Sequence, residues 1–282
     1  MRERRHSPGV ALLLAILVTS VATDAVGAAW VQPPGGSYSK IWLRSLVGRH
    51  AILADGSHIT LSESYSDFSL NAAVEYGITP AFTLIALGTP LAGSAAFADS
   101  RSSYMGFLGL GGRVLLWDGI TKVSIAGDIA YNPNVGTSST LVTRVARGKG
   151  YFYVPAVNTH RFSGALEIGQ PWSWGWLVAT LGGRTYSNDD LQPTLTGFLQ
   201  LGYNGGAWTL DGHANVSYQT DPIEVSNISG AGQTRYVGVG IGMSYWLTQT
   251  LAVNLGLAGA PYFRANAAAP VVLTGIEIKD WR

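Results

Sequence analysis

Asp211, His213 and Ser217 are the one acid, base and nucleophile set that shares a single face of a short segment in this chain. An acid that orients a histidine, and a histidine that takes a proton from a hydroxyl, is the logic of acyl transfer. The spacing does not permit it. From Trp208 to Tyr218 the chain alternates apolar and polar residues, which is the period of an extended strand. At a rise of about 3.3 Å per residue, positions two and four apart stand roughly 7 and 13 Å apart, well beyond the ~3 Å of a proton transfer. No Gly-x-Ser-x-Gly, no His-Glu-x-x-His and no Gly-rich phosphate loop in a strand-to-helix context occurs. His213 therefore reads as a polar residue on one face of a strand, and the chain as a protein that is not an enzyme and needs no cofactor. The chain has no cysteine, which excludes disulfides and thiolate metal sites. His50 and His58 fall in one connector, but no further metal ligand accompanies them.

The same polar phase collects more charge. Lys40, Arg44, Arg113, Lys122, Arg161 and Arg184 are basic. Asp67, Glu75, Asp128, Glu167 and Asp211 are acidic. If the strands close on themselves, these eleven residues and His213 line a lumen. Opposed charges across a lumen set a transverse field that selects a solute. The alternative is a mutually neutralising network that fills the barrel and blocks flow. Because the signs nearly balance, strong anion or cation selectivity is not expected.

These residues must be positioned by strands, and twelve segments have strand character: Tyr38–Val47, Tyr65–Tyr76, Ala81–Leu91, Ser103–Trp117, Thr121–Tyr131, His160–Gly169, Gly175–Arg184, Gln192–Tyr203, Trp208–Tyr218, Arg235–Trp246, Thr250–Tyr262 and Pro270–Lys279. In Ser103–Trp117 the alternation puts Tyr104, Leu108, Leu110, Val114 and Leu116 outward. Connectors alternate between short turns, such as Asp118-Gly119 and Asn204-Gly205-Gly206, and longer polar stretches, such as His50–Ser64, Asn132–Thr159 and Gln219–Thr234. Outer-membrane barrels have short periplasmic turns and long external loops. Aromatics follow the same phase. Tyr76, Phe82, Trp117, Trp172, Trp174, Trp176, Tyr203, Trp208, Tyr245 and Trp246 lie near short turns. Tyr65, Phe68, Tyr104, Tyr131, Tyr186, Tyr218, Tyr236 and Tyr262 lie near long loops. They read as two interfacial girdles. Within Asn132–Thr159, the favoured reading is a pair of strands prolonged past the membrane and turned at Gly148-Lys149-Gly150. The expected fold is an all-β, up-and-down antiparallel transmembrane barrel of about twelve strands.

The two ends of the chain bear on where this barrel resides. Arg2, Arg4 and Arg5 precede the apolar run Val10–Val18, and Val26-Gly27-Ala28 supplies small residues for cleavage. Residues 1–28 read as a secretory signal peptide, leaving 29–282 as the barrel. Its removal brings the formal charge from +1 to zero, so no basic excess points to nucleic acid. No apolar run of roughly eighteen residues follows it, so helical spans are not expected. The ending Trp281-Arg282 departs from the terminal aromatic usual in such barrels.

Ala29-Trp30-Val31-Gln32-Pro33-Pro34-Gly35-Gly36-Ser37-Tyr38 and the later Glu75-Tyr76-Gly77-Ile78-Thr79-Pro80 turn resemble motifs of an outer-membrane transporter family named for the phenol meta-cleavage pathway. The resemblance covers about the first third of residues 29–282 and implies a barrel with an uptake role. A second copy of the turn, Tyr245–Val253, aligns with Tyr76–Leu84 and points to hairpin duplication. The expected function is a channel or transporter for a small, aromatic or hydrophobic solute in a Gram-negative outer membrane, surrounded by lipid and lipopolysaccharide. A closed-lumen structural or surface-interaction barrel is the alternative, and an outer-membrane hydrolase the third.

Overall fold

The computed structural model describes residues 29–52, 56–95, 101–133, 140–145, 148–153, 158–187, 192–220, 227–229, 235–264 and 266–280. The leader 1–28 and Trp281-Arg282 lie outside the described residues. Among the described residues every regular element is a strand. In chain order these are β1 Ser37–Ile52, β2 His58–Thr79, β3 Phe82–Ala95, β4 Arg101–Tyr104, β5 Leu108–Asp118, β6 Lys122–Asn132, β7 Thr140–Val145, β8 Gly148–Tyr153, β9 Thr159–Trp172, β10 Gly175–Tyr186, β11 Thr194–Gly205, β12 Trp208–Gln219, β13 Asn227–Ser229, β14 Arg235–Trp246, β15 Leu251–Arg264, β16 Asn266–Ala268 and β17 Val271–Asp280.

Twelve of them form a closed antiparallel barrel, each paired with its neighbours in sequence once β4, β7, β8, β13 and β16 are set aside. Closure is made by β1, which pairs with β2 from Ser37↔Tyr76 and with β17 from Ser37↔Asp280. No barrel strand is left with an unpaired edge, the condition for a sheet to cross lipid. The turns after β2, β5, β9, β11 and β14 have four residues or fewer, and both ends of the barrel sequence return to that rim. In the turn between β11 and β12, Gly206 takes φ +75°, a conformation that costs glycine nothing.

Alternation decides which face meets what. Ile41, Leu43, Leu110, Leu116, Ile125, Ile129, Leu166, Leu181, Leu199, Ile241 and Leu255 all point out of the barrel and are exposed. A continuous apolar belt of this kind has no counterpart on a soluble monomer, and it matches a hydrocarbon slab. Tyr76, Trp117, Trp172, Trp174, Tyr203, Trp208 and Tyr245 ring the short-turn rim. Phe68, Tyr131, Phe162, Tyr218 and Tyr262 ring the other.

Six aromatics assigned to these girdles instead face the interior: Tyr65, Tyr104, Trp176, Tyr186, Tyr236 and Trp246. Tyr65, Tyr104 and Tyr236 are buried. Tyr104 shows the reason. The segment read as one strand, Ser103–Trp117, is broken at Met105-Gly106-Phe107, where Thr89 and the chain exchange two backbone hydrogen bonds. The break resets the alternation, so Tyr104 and Leu108 lie on opposite faces. Tyr104 then joins Leu46, Leu61, Tyr65, Ala92, Ala258 and Val271 in an apolar cluster inside the long-loop end.

Two connectors also differ from their reading. Most of His50–Ser64 is strand, the upper part of β1 and of the 22-residue β2. Asn132–Thr159 does not simply prolong the barrel strands. β7 and β8 pair as a separate hairpin with Val145 opposite Gly148, and β13 joins β8 in parallel to make a three-stranded sheet.

Candidate functional site

Twelve strands about 4.8 Å apart and tilted about 40° enclose a backbone cylinder roughly 24 Å across, too wide for two facing layers of side chains to fill without help. What fills it differs around the circumference.

On the β2–β9 wall, a three-part ion cluster forms from strands that are not adjacent in sequence. Arg113 of β5 donates from Nε to Glu167 Oε2 of β9 at 2.5 Å, and from Nη1 to Glu75 Oε1 of β2 at 3.1 Å. All three side chains are at most 9 % exposed. Over this cluster lies the segment Ala29–Gly36. Gln32 donates its backbone N–H to Thr83 Oγ1 at 2.7 Å and its side-chain amide to Glu75 Oε2 at 2.8 Å. Ser124 Oγ donates to the Ala29 carbonyl at 2.5 Å, and Arg113 Nη1 to the Trp30 carbonyl at 3.4 Å. Pro33-Pro34-Gly35-Gly36 then turns the chain into β1, with Gly36 N–H bonded to the Pro33 carbonyl and Gly35 at φ +78°. Proline second and glycine third are the residues a type II turn requires. Gly77 accepts this turn closely: a Cβ there would strike the Pro33 carbonyl.

The opposite wall, β10–β17 with β1, is built differently. Gly238, Gly240 and Gly242 leave the middle of the inward face of β14, between Tyr236 and Ser244, free of side chains. Asp211 and His213 of β12 lie across it, so a Cβ at Gly240 or Gly242 would collide with them. His213 Nδ1 and Asp211 Oδ1 are 3.0 Å apart, and the His213 ring stacks near Phe198 with centroids 6.0 Å apart. His213 Nε2 stands over the Gly240 backbone, not beside a hydroxyl. Lower on the same wall, Lys40 reaches Glu277 at 3.3 Å and Ser244 Oγ donates to Glu277 Oε1 at 2.9 Å. Trp246 donates from Nε1 to Thr209 Oγ1 at 3.2 Å, and the Lys279 ammonium sits 3.9 Å from its ring centre. These side chains keep water contact, with Lys40 at 30 % and Asp211 at 18 % exposure. Asn215 Oδ1, Gln219 Oε1 and Asn254 Nδ2 are buried here with no protein partner.

The remaining sequence candidates sit nearer the loops or at the rim. Arg44 pairs with Asp67, whose other oxygen accepts from Ser94 Oγ at 2.7 Å. Arg161 pairs with Asp128 at 3.0 Å and lies 5.2 Å from the Phe107 ring centre, which itself neighbours Tyr186. Arg184 lies in register with Ser163. Lys122 pairs with Asp118 at the short-turn rim. The Ala29–Gly36 segment, Phe198 and the β14 glycines were not among the sequence candidates. The alternation of the glycine triplet with Val237, Val239 and Ile241 is the signal that identifies the β14 glycines. Among the described residues no group of three His, Cys, Asp or Glu side chains is arranged to hold a metal ion.

No family model matches the chain, and no curated protein matches it. Solved structures with similar strand arrangements do. A KdgM porin in complex with disordered oligogalacturonate is 8 % identical, covers 85 % of this chain and 98 % of its own, and has a TM-score of 0.46. The translocator domain of the autotransporter NalP from Neisseria meningitidis is 11 % identical, with coverages of 91 % and 90 % and a TM-score of 0.49. The P. putida toluene transporter TodX is 9 % identical, with coverages of 90 % and 93 % and a TM-score of 0.43. At such identities the barrel assignment rests on this chain's own closed strand pairing.

Proposed function

We propose that this protein is a solute channel of a Gram-negative outer membrane, delivered there after removal of residues 1–28. Its conducting path runs along the β10–β17 wall, while Ala29–Gly36 occupies the other side. The observation that carries this reading is the contrast in wetness between two inward-facing charged groups. Arg113, Glu75 and Glu167 are dry, whereas Lys40, Asp211 and His213 face inward and still meet water. Gly240 and Gly242 let His213 and Asp211 lie flat against the wall. Lys40 and Glu277 oppose each other in charge, so the path carries little net field and favours neither ion sign. Phe198, Trp176 and Trp246 put ring faces on the same wall, which suits a small aromatic or hydrophobic solute, in keeping with the resemblance to transporters of the phenol meta-cleavage pathway.

A closed barrel with a structural role is the second reading, and the seated N-terminal segment and the apolar cluster around Leu46 and Tyr65 favour it. A hydrolase has less support, since Asp211 and His213 touch but Nε2 meets a glycine. Planar-bilayer recording and solute uptake into liposomes separate these. Discrete conductance steps and accelerated uptake support the channel. A protein that inserts, stays silent and speeds no uptake removes it.

A further inference from the structure

The Glu75–Arg113–Glu167 cluster holds two carboxylates and one guanidinium. Its polar neighbours, Gln32, Thr83 and Ser124, are neutral. The nearest further cation on these strands is Lys122 of β6, the register partner of Gly169, and its charge is matched by Asp118. One acidic charge is therefore buried in excess, and a buried carboxylate without a counter-ion is strongly disfavoured. Ala29 lies against this cluster. Its carbonyl accepts from Ser124 Oγ, and Ser124 is the register partner of Glu167. Its Cβ lies where a side chain at Gly169, two residues beyond Glu167, would come within 3.0 Å. Ser124, Glu167 and Gly169 thus bound one small cell, and Ala29 fills it.

We propose that this cell is a seat for the α-ammonium of Ala29, which cleavage after Ala28 creates, and that the ammonium is the second cation of the Glu75–Arg113–Glu167 cluster, on the Glu167 side. The inference rests on the proposed removal of residues 1–28. It goes beyond it by giving the new terminus a task. The peptide nitrogen of an uncleaved chain carries no charge, so only processing gives the cluster a second cation. Charge pairing then joins the hydrogen bonds of Gln32 and Trp30 in holding the segment inside the barrel. The requirement for a glycine at 169 follows from the same packing.

The test uses the full chain, expressed with its leader and extracted folded in detergent. N-terminal sequencing comes first, and Ala29 must be the first residue. Any other start overturns both the processing site and the seat. The rate of acylation of the α-amine by a water-soluble active ester is then followed against pH, by mass spectrometry of the N-terminal peptide. Burial alone lowers an amine's pKa, whereas pairing with a carboxylate raises it, so the two accounts differ in sign. In the heat-unfolded chain the profile has its midpoint in the usual α-amine range, about 7.7–8.0. In the folded protein the midpoint moves upward by about one unit or more, and Glu167→Gln brings it back down. Inserting one glycine before Ala29 displaces the ammonium and also abolishes the upward shift, which keeps the test decisive if Glu167→Gln folds poorly. Lys122→Gln leaves the shift in place. A midpoint that is unmoved or falls on folding, with Ala29 first, overturns the seat and leaves the processing intact.

Discussion

The two walls of the lumen come from one alternating pattern and reach opposite states. On the β2–β9 side, inward positions carry long charged residues that meet across strands and are then covered by Ala29–Gly36. On the β10–β17 side, Asp211 and His213 lie flat over Gly240 and Gly242 and keep partial exposure, beside the inward rings of Phe198 and Trp246. The lesson is that what lies against an inward charge decides its state: a seated chain segment on one wall, bare glycine backbone on the other. A polar lumen residue can be a structural brace or a lining group. The backbone beside it determines which.

The contrast is broken most severely by Arg113→Met, which removes the one side chain that bridges Glu75 and Glu167. A loss of about 3–5 kcal/mol is expected, read as disappearance of the heat-modifiable folded band on a gel. Gly240→Val attacks the other wall by forcing a side chain into His213. Overpacking of about 1–3 kcal/mol is expected, with a fall in conductance that Arg113→Met does not isolate. Thr83→Ala removes the acceptor of the Gln32 N–H. It sharpens the role of the seated segment, with a loss of about 1 kcal/mol in detergent unfolding. The smallest effect belongs to Lys122→Gln. Its partner Asp118 is 67 % exposed, so a change below about 1 kcal/mol is expected.

How much of this was legible in the sequence follows from the range of each interaction. Trp208–Tyr218 shows its two faces by local alternation, and the barrel pairs it on both sides over nearly its whole length. Strand count and the phase of short and long connectors are equally local. The phase of Tyr104 was not readable, because three residues, Met105 to Phe107, reset it through hydrogen bonds to Thr89 on another strand. The Glu75–Arg113–Glu167 cluster joins residues 38 and 54 apart, and barrel closure alone makes them neighbours. Gln32 reaching Glu75 has the same origin. In the linear chain, Ala29–Gly36 reads as a lead-in to the first strand, and nothing local says that it turns inward.

The central claim is the asymmetry of the lumen, and the absence of native cysteine makes it directly measurable. Single-cysteine variants His213→Cys and Ser124→Cys are to be exposed to a charged, water-soluble thiol reagent during planar-bilayer recording. The account predicts that His213→Cys is modified quickly and its conductance falls stepwise, while Ser124→Cys, beneath Ala29, is left unmodified. Equal modification of both, or a silent His213→Cys barrel that is nevertheless folded and inserted, would contradict it.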